Sequence, residues 1–374
     1  MEIYLVGAWL VATSTAELVA IARLRAMLAR FHRRELLSTP SMVRELPSVS
    51  VCIPARNERH AMTRCLESVL GSNYSKLEVI VLDDESVDNT SSLIKSFAKD
   101  GVRFVDGSTP PVGWLGKNYA LSVLLGEASG TYVLFLDVDT VLAPHAIAQL
   151  VAYAESTQST MVSVLPQRSD VWRMSVVVAP LRYFWHVLFH RPSRPVAASS
   201  AWMVRRKALV QDFAELASLR SDVEPEVTIA RKYLAEGAYR FLTSHQLLGV
   251  SYEKRMSSQI ETTIRLRYPQ LGFSVWRSVL SCLLKLGVGS APCAAAIVPS
   301  LWPLALASYL LGAYCYLLYL LFVWERGAWL GMWLWPFVLL GDAWLTLVSM
   351  IRYQTNSVTW KGRPITSQVA REEV

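Results

Sequence analysis

Charge is scarce in this chain: Asp, Glu, Lys and Arg make up 18% of 374 residues, against about a quarter in soluble globular domains. The apolar fraction is 52%, which excludes a disordered or acidic-tail protein. Cysteine is sparse too. Cys52, Cys65, Cys282, Cys293 and Cys315 are irregularly spaced and form no C-x-x-C, so no disulfide framework or paired-cysteine zinc site is expected, and the polar part of the chain suits a reducing compartment. Neither G-x-G-x-x-G nor G-x-x-x-x-G-K-[ST] occurs, which argues against a dinucleotide dehydrogenase and a P-loop NTPase. His186 and His190 stand four apart without the H-E-x-x-H glutamate, a poor zinc pattern.

What the chain does have is segregation. Ile3–Ala22 is an apolar run about as long as a bilayer-spanning helix needs. Arg23, Arg25, Arg30, Arg33 and Arg34 follow it, and the positive-inside rule keeps that basic run cytoplasmic with the N-terminus outside. Near the other end, Leu301–Val323 and Ala328–Ile351 read as spans joined by Glu325-Arg326-Gly327, and Arg352, Lys361 and Arg363 return the tail to the cytoplasm. Lys285, Gly287, Gly289 and Pro292 interrupt Val275–Pro299, so that stretch is expected to be interfacial or re-entrant. The resulting plan is a membrane helix over 1–24, a basic cytoplasmic linker over 25–46, a polar domain over 47–260, an interfacial region over 261–299, membrane helices over 300–352 and a cytoplasmic tail over 353–374. A multi-pass protein of the plasma or inner membrane is expected, its polar domain cytoplasmic. The net charge of +7 then serves topology and anionic lipid, and nucleic acid is an unneeded partner.

Within the polar domain, Ser48–Ile53, Leu77–Leu82 and Tyr132–Leu136 are short continuous apolar runs. Amphipathic stretches, His60–Leu70, Asn89–Lys99 and Lys117–Ala128, lie between them. This pattern predicts an α/β domain with a mainly parallel sheet covered on both faces. Ligands of such sheets bind beyond the carboxyl ends of the strands, where this chain puts its polar clusters: Arg56-Asn57-Glu58, Asp83-Asp84-Glu85-Ser86 and Asp137-Val138-Asp139. Two carboxylates spaced like Asp137 and Asp139 can meet a hard divalent cation whose other ligands are water and phosphate oxygens. Lys117, opening an amphipathic helix, is well placed to meet a diphosphate.

Taken together, Pro54–Glu58, Leu82–Thr90 (LDDESVDNT), Pro111–Leu121 (PVGWLGKNYAL) and Leu136–Thr140 (LDVDT) resemble the family 2 glycosyltransferases of GT-A fold. Gly113-Trp114-x-Gly116-Lys117 narrows the resemblance to the membrane subgroup associated with hopanoid and carotenoid biosynthesis. Ser357–Pro364 (SVTWKGRP) resembles a tail motif found there and in ceramide glucosyltransferases. The resemblance implies that Arg56 and Glu58 line a nucleotide site, that Asp84 reaches the uridine with Asp83 behind it, and that Lys117 meets the diphosphate. It implies that Asp137 and Asp139 hold Mg²⁺ or Mn²⁺, with Asp137 also beside a UDP-linked nucleotide-sugar, and that the acceptor is a lipid.

An inverting transfer also needs a base. In the family this is usually the Asp of a Glu-Asp pair opening a helix. Here Val227-x-Ile229-Ala230-Arg231 aligns Glu226 with that position and puts Pro225 where the partner acid normally stands. Glu226 leads, and Asp222 and Glu224 stay open. The Q-x-x-R-W run of processive synthases is missing from Lys254–Trp276, which favours one sugar per acceptor over polymer extrusion. The rival expectations are a processive polysaccharide synthase and a binding protein that kept the nucleotide fold without the base. Val171–His190, apolar with Arg173, Arg182 and Arg191 along it, is expected either to admit a lipid at the membrane interface or to be a core helix.

Overall fold

A computed structural model of the chain describes residues 1–35, 47–169, 181–191, 193–245, 248–324 and 328–365. Among these residues a seven-stranded sheet has the order β3-β2-β1-β4-β8-β6-β9. The strands are β1 (Val49–Ala55), β2 (Leu77–Asp83), β3 (Val102–Asp106), β4 (Tyr132–Leu136), β6 (Met161–Leu165), β8 (Ala201–Arg205) and β9 (Tyr239–Thr243). β3, β2, β1 and β4 are mutually parallel, β8 runs against both of its neighbours, and β6 pairs parallel with β9. A second sheet joins β5 (Thr140–Leu142), β10 (Val250–Tyr252) and β7 (Gln167–Arg168), and a hairpin pairs β11 (Thr359–Trp360) with β12 (Arg363–Pro364). The three apolar runs are the strands expected, and the three amphipathic stretches form helices at Met62–Leu70, Thr90–Ser96 and Gly116–Glu127.

Double-sided burial explains why those strands are continuously apolar. All five residues of β4 are buried, and strand alternation divides the side chains between two cores. Val49, Val51 and Ile53 of β1 pack with Leu134 and Leu136 of β4 on one face. Cys52 and Phe135 face the other way, together with Trp202, Ile21, Leu24, Tyr316, Tyr319 and Leu320. That second core contains residues of Glu2–Glu35 and Trp302–Val323. The sheet therefore rests directly on the apolar helices.

Among the described residues, three helical stretches are long and apolar enough to cross a membrane: Glu2–Ala29, Val275–Ile297 and Pro299–Val323. The first belongs to a helix that continues to Glu35, so the basic residues Arg23–Arg34 extend it. Val275–Ser290 is an uninterrupted helix despite its lysine and glycines. The Ala328–Ile351 stretch divides into helices Ala328–Met332 and Trp335–Gln354, the second with Pro336 in its first turn, where proline is tolerated. Glu17, in the first apolar helix, is buried and accepts from the Ser308 hydroxyl at 3.0 and 3.2 Å.

Close backbone approach where β4 enters the sheet beside β1 gives a test. A Cβ on Gly130 would meet the Ser50 backbone nitrogen at 2.7 Å, whereas one on Gly126 would meet nothing within 4 Å. Gly130→Ala is expected to destabilise the protein by about 1–3 kcal/mol, and Gly126→Ala to leave stability unchanged or raise it by up to about 1 kcal/mol. Denaturant unfolding in detergent, followed by circular dichroism, compares the two.

Candidate active site

β1 lies between β2 and β4, so the segments leaving these three strands meet at one end of the sheet. One cavity there is lined by Arg56, Glu58, Asp84, Lys117, Asp137 and Asp139. Asp83 is the exception among the strand-end residues. It ends β2 paired with Ala55 in the sheet register, is 4% exposed, and its Oδ1 has no hydrogen-bond partner.

Loop-to-loop hydrogen bonds hold these segments in place. The Asn57 backbone N–H donates to Ser86 Oγ at 2.9 Å, Asn57 Oδ1 accepts from the Val87 N–H at 2.9 Å, and the Glu58 N–H donates to Thr90 Oγ1 at 2.8 Å. Asn57 sits at φ 52°, a left-handed conformation that asparagine tolerates. Ser86 and Thr90 of the second cluster therefore brace the first. After β4, the Asp137 N–H donates to the Ser200 carbonyl at 2.9 Å and its carbonyl accepts from the Thr140 N–H at 2.9 Å, a turn that places both carboxylates on the cavity wall.

Each of those carboxylates faces a lysine. Lys117 Nζ lies 2.7 Å from Asp137 Oδ1, and Lys254 Nζ lies 3.3 Å from Asp139 Oδ2. Among the described residues, no three His, Cys, Asp or Glu side chains converge as a metal cage. The donor set instead fits a hard cation held through two carboxylates and completed by water and phosphate oxygens, with two ammonium groups beside it to meet the phosphates.

The tail enters the same cavity. Lys361 and Gly362 have φ of 47° and 81°, as a two-residue hairpin turn between β11 and β12 requires. That turn brings Lys361 Nζ onto Glu58 and the Arg56 carbonyl, while Arg56 Nε donates to the Lys361 carbonyl at 3.1 Å. Arg363 Nη1 lies 2.7 Å from both Asp84 oxygens, and its Nη2 pairs with Glu85. Burial pushes the Asp84 carboxyl up, and the Arg363 guanidinium opposes that shift. The Thr109 hydroxyl and Arg363 hold Glu85 below its ordinary value. Trp360 and Arg265 also line the cavity, the guanidinium 5.3 Å from the indole centre.

The three acids considered for the base occupy different settings. Asp222 accepts from the Glu224 N–H at 2.9 Å and from Thr228 Oγ1 at 2.5 Å, bracing the start of helix Pro225–Ala235. Burial raises its carboxyl above the usual range. Glu224 accepts from Gln270 Nε2 at 3.0 Å and lies 3.7 Å from His186 and 3.9 Å from Arg194. Glu226, in the first turn, is 6% exposed. The segment before this helix is tied to the one carrying Lys117: Asn118 Nδ2 donates to the carbonyls of Leu219 at 2.6 Å and Asp222 at 2.8 Å.

Asn118, Lys254, Arg265 and Trp360 received no role from the sequence, and Lys361 and Arg363 only one in topology. Asn118 stood inside a recognised motif, and Trp360, Lys361 and Arg363 stood in the tail motif, but nothing local ties either to the cavity. Lys254 and Arg265 carried no signal. Of Val171–His190, residues 171–180 lie outside the described residues, and the remainder forms helix Leu181–Leu188.

A mainly parallel α/β sheet with a D-x-D pair and a facing lysine at its strand ends has the architecture of the GT-A fold. Residues 50–213 match the family model Glycosyl transferase family 2. Similar proteins include Probable glycosyltransferase YdaM of Bacillus subtilis, 34% identical over 29% of this chain and 27% of that protein. Another is the 4,4'-diaponeurosporenoate glycosyltransferase of Staphylococcus haemolyticus, 31% identical over 36% of this chain and 37% of that protein. The chain thus matches about a quarter to a little over a third of the length of these relatives. Among solved structures, the mannosyltransferase PcManGT from Pyrobaculum calidifontis, in complex with GDP-Man and Mn²⁺, has a TM-score of 0.53 at 20% identity, covering 92% of this chain and 98% of that one. This likeness is one of fold.

The Arg363–Asp84 pair is expected to anchor the tail. Arg363→Ala should speed amide hydrogen exchange in Thr359–Pro364 by about tenfold or more, since a hydrogen bond to a charged group contributes about 1.5–3 kcal/mol. Unchanged exchange would mean that the hairpin is held by other contacts.

Proposed function

We propose that the protein is a membrane-bound inverting glycosyltransferase that moves a single sugar from a nucleotide-sugar, UDP-linked, to a lipid-type acceptor at the cytoplasmic face. The observation that carries this reading is the convergence of Asp84, Lys117, Asp137 and Asp139 on one cavity at the carboxyl ends of three adjacent parallel strands. The shared core of sheet and apolar helices supports an acceptor drawn from the membrane.

In this reading Asp84 offers acceptor oxygens to the nucleobase with the buried Asp83 behind it, and Arg56 and Glu58 border the nucleoside. Asp84 must then exchange its Arg363 contact for the base, or share it. Lys117 and Lys254 turn from the two aspartates to the phosphate oxygens. Asp137 and Asp139 are the residues that would hold Mg²⁺ or Mn²⁺, and the ion would supply positive charge against the leaving diphosphate. Glu226, which the family pattern aligns with the base position at the start of helix Pro225–Ala235, takes the acceptor proton. Asn118 positions that helix start relative to Lys117.

Purified protein in detergent, given UDP-sugars, Mn²⁺ and a membrane-lipid extract, is expected to form one-sugar lipid products. Asp139→Ala should lower turnover about 100-fold or more. Glu226→Gln should lower kcat by about 10²–10⁴-fold with little change in the donor KM. Failure of the wild type to bind UDP with Mn²⁺ would sink the reading, long polymer products would replace it with a processive synthase, and an active Glu226→Gln would move the base to Asp222 or Glu224.

A further inference from the structure

A second cavity, of about 480 Å³, opens among the apolar helices, within the roughly 300–1,000 Å³ of small-molecule sites. Trp185 and Phe189, stacked with centroids 6.0 Å apart, form one side, and Leu280, Leu284 and Val288 of helix Val275–Ser290 form another. Against this apolar wall stand four cations, Arg194, Arg267, Arg277 and Lys285, and no Asp or Glu among the described lining residues. Asp342 lies behind the wall, 2.6 Å from Arg267 Nη2 and 2.7 Å from Lys285 Nζ, and accepts from Trp185 Nε1 at 3.0 Å. Asp342 serves both buried cations, whereas Arg194 and Arg277 are exposed at the cavity's border. No carboxylate among the described residues pairs with Arg277, and Arg194 approaches Glu224 only at 3.9 Å.

The same Arg194, Gln270 and Arg277 also line the neighbouring cleft that contains Asp222 and Glu224. The apolar cavity thus shares a cationic border with the segment proposed to supply the base. An uncharged lipid would fill the apolar part and leave the excess positive charge unmatched. A chain ending in phosphate or carboxylate would satisfy both, because Arg presents a planar fork suited to either anion.

We propose that this cavity binds an amphiphile with an anionic oxygen headgroup, its chain lying between Trp185 and Leu284 and its head at Arg194 and Arg277. The proposal rests on the lipid-acceptor reading and adds the charge of the acceptor's head. The test is native mass spectrometry of the full chain in an uncharged detergent, titrated with dodecyl phosphate, dodecanol or inorganic phosphate and no sugar donor. Dodecyl phosphate is expected to bind about tenfold or more tightly than dodecanol, the contribution of a charge-assisted hydrogen bond. Inorganic phosphate, lacking the chain, is expected to bind more weakly still. Combined Arg194→Gln and Arg277→Gln should remove the preference for dodecyl phosphate while leaving dodecanol binding unchanged, and Leu284→Trp, which fills the cavity, should weaken both. Equal binding of the two chains, inorganic phosphate binding as well as dodecyl phosphate, or a preference that survives the double change would overturn the proposal. UDP binding measured on the same preparations keeps the two readings separate: its loss with the lipid preference intact counts against sugar transfer alone, and the reverse result against the anionic head alone.

Discussion

Burial of the parallel strands on both faces is the constraint from which the rest of the structure follows. β1 and β4 are largely apolar because one face packs against the domain's own helices and the other against a core that includes the apolar helices. The charged clusters that line the cavity follow the strand ends. Backbone turns after β1, β2 and β4 present Arg56, Asp84, Asp137 and Asp139 to a single cavity. The same packing fixes that cavity relative to Glu2–Glu35 and Trp302–Val323, so the active site cannot swing on a linker away from the apolar helices.

Charge in the cavity is balanced across long sequence separations. Lys117 and Lys254 neutralise the D-x-D pair, Lys361 neutralises Glu58, and Arg363 neutralises Asp84. Four acids that would repel one another in a partly buried space are thereby held together by four cations from three different regions of the chain. Those cations are also the groups a diphosphate would recruit. A site assembled this way is stable without donor and electrostatically prepared for one.

Much of this was legible in the sequence because it is local. β2 and β4 begin where the apolar runs begin, β1 lies one residue later, and the helix carrying Lys117 starts at Gly116. The strand-end residues declared themselves by their position immediately after buried runs. Contacts that join distant segments were not legible: Arg363 reaches Asp84 across 279 positions, and Asn118 reaches the Asp222 carbonyl across 104. The antiparallel strand β8 interrupts the parallel order for reasons of pairing that no periodicity carries. The apolar C-terminal third was hardest to divide, because Val275–Ser290 keeps Lys285 inside a helix by pairing it with Asp342 on another.

The central claim is that Asp137 and Asp139 hold a divalent cation against a nucleoside diphosphate. Electron–nuclear double resonance of Mn²⁺ bound to the purified protein measures this directly. With UDP present, the account predicts phosphorus coupling to a protein-bound Mn²⁺ in the wild type and its loss in Asp137→Asn and Asp139→Asn. A protein-bound Mn²⁺–UDP signal unchanged by both substitutions would contradict it.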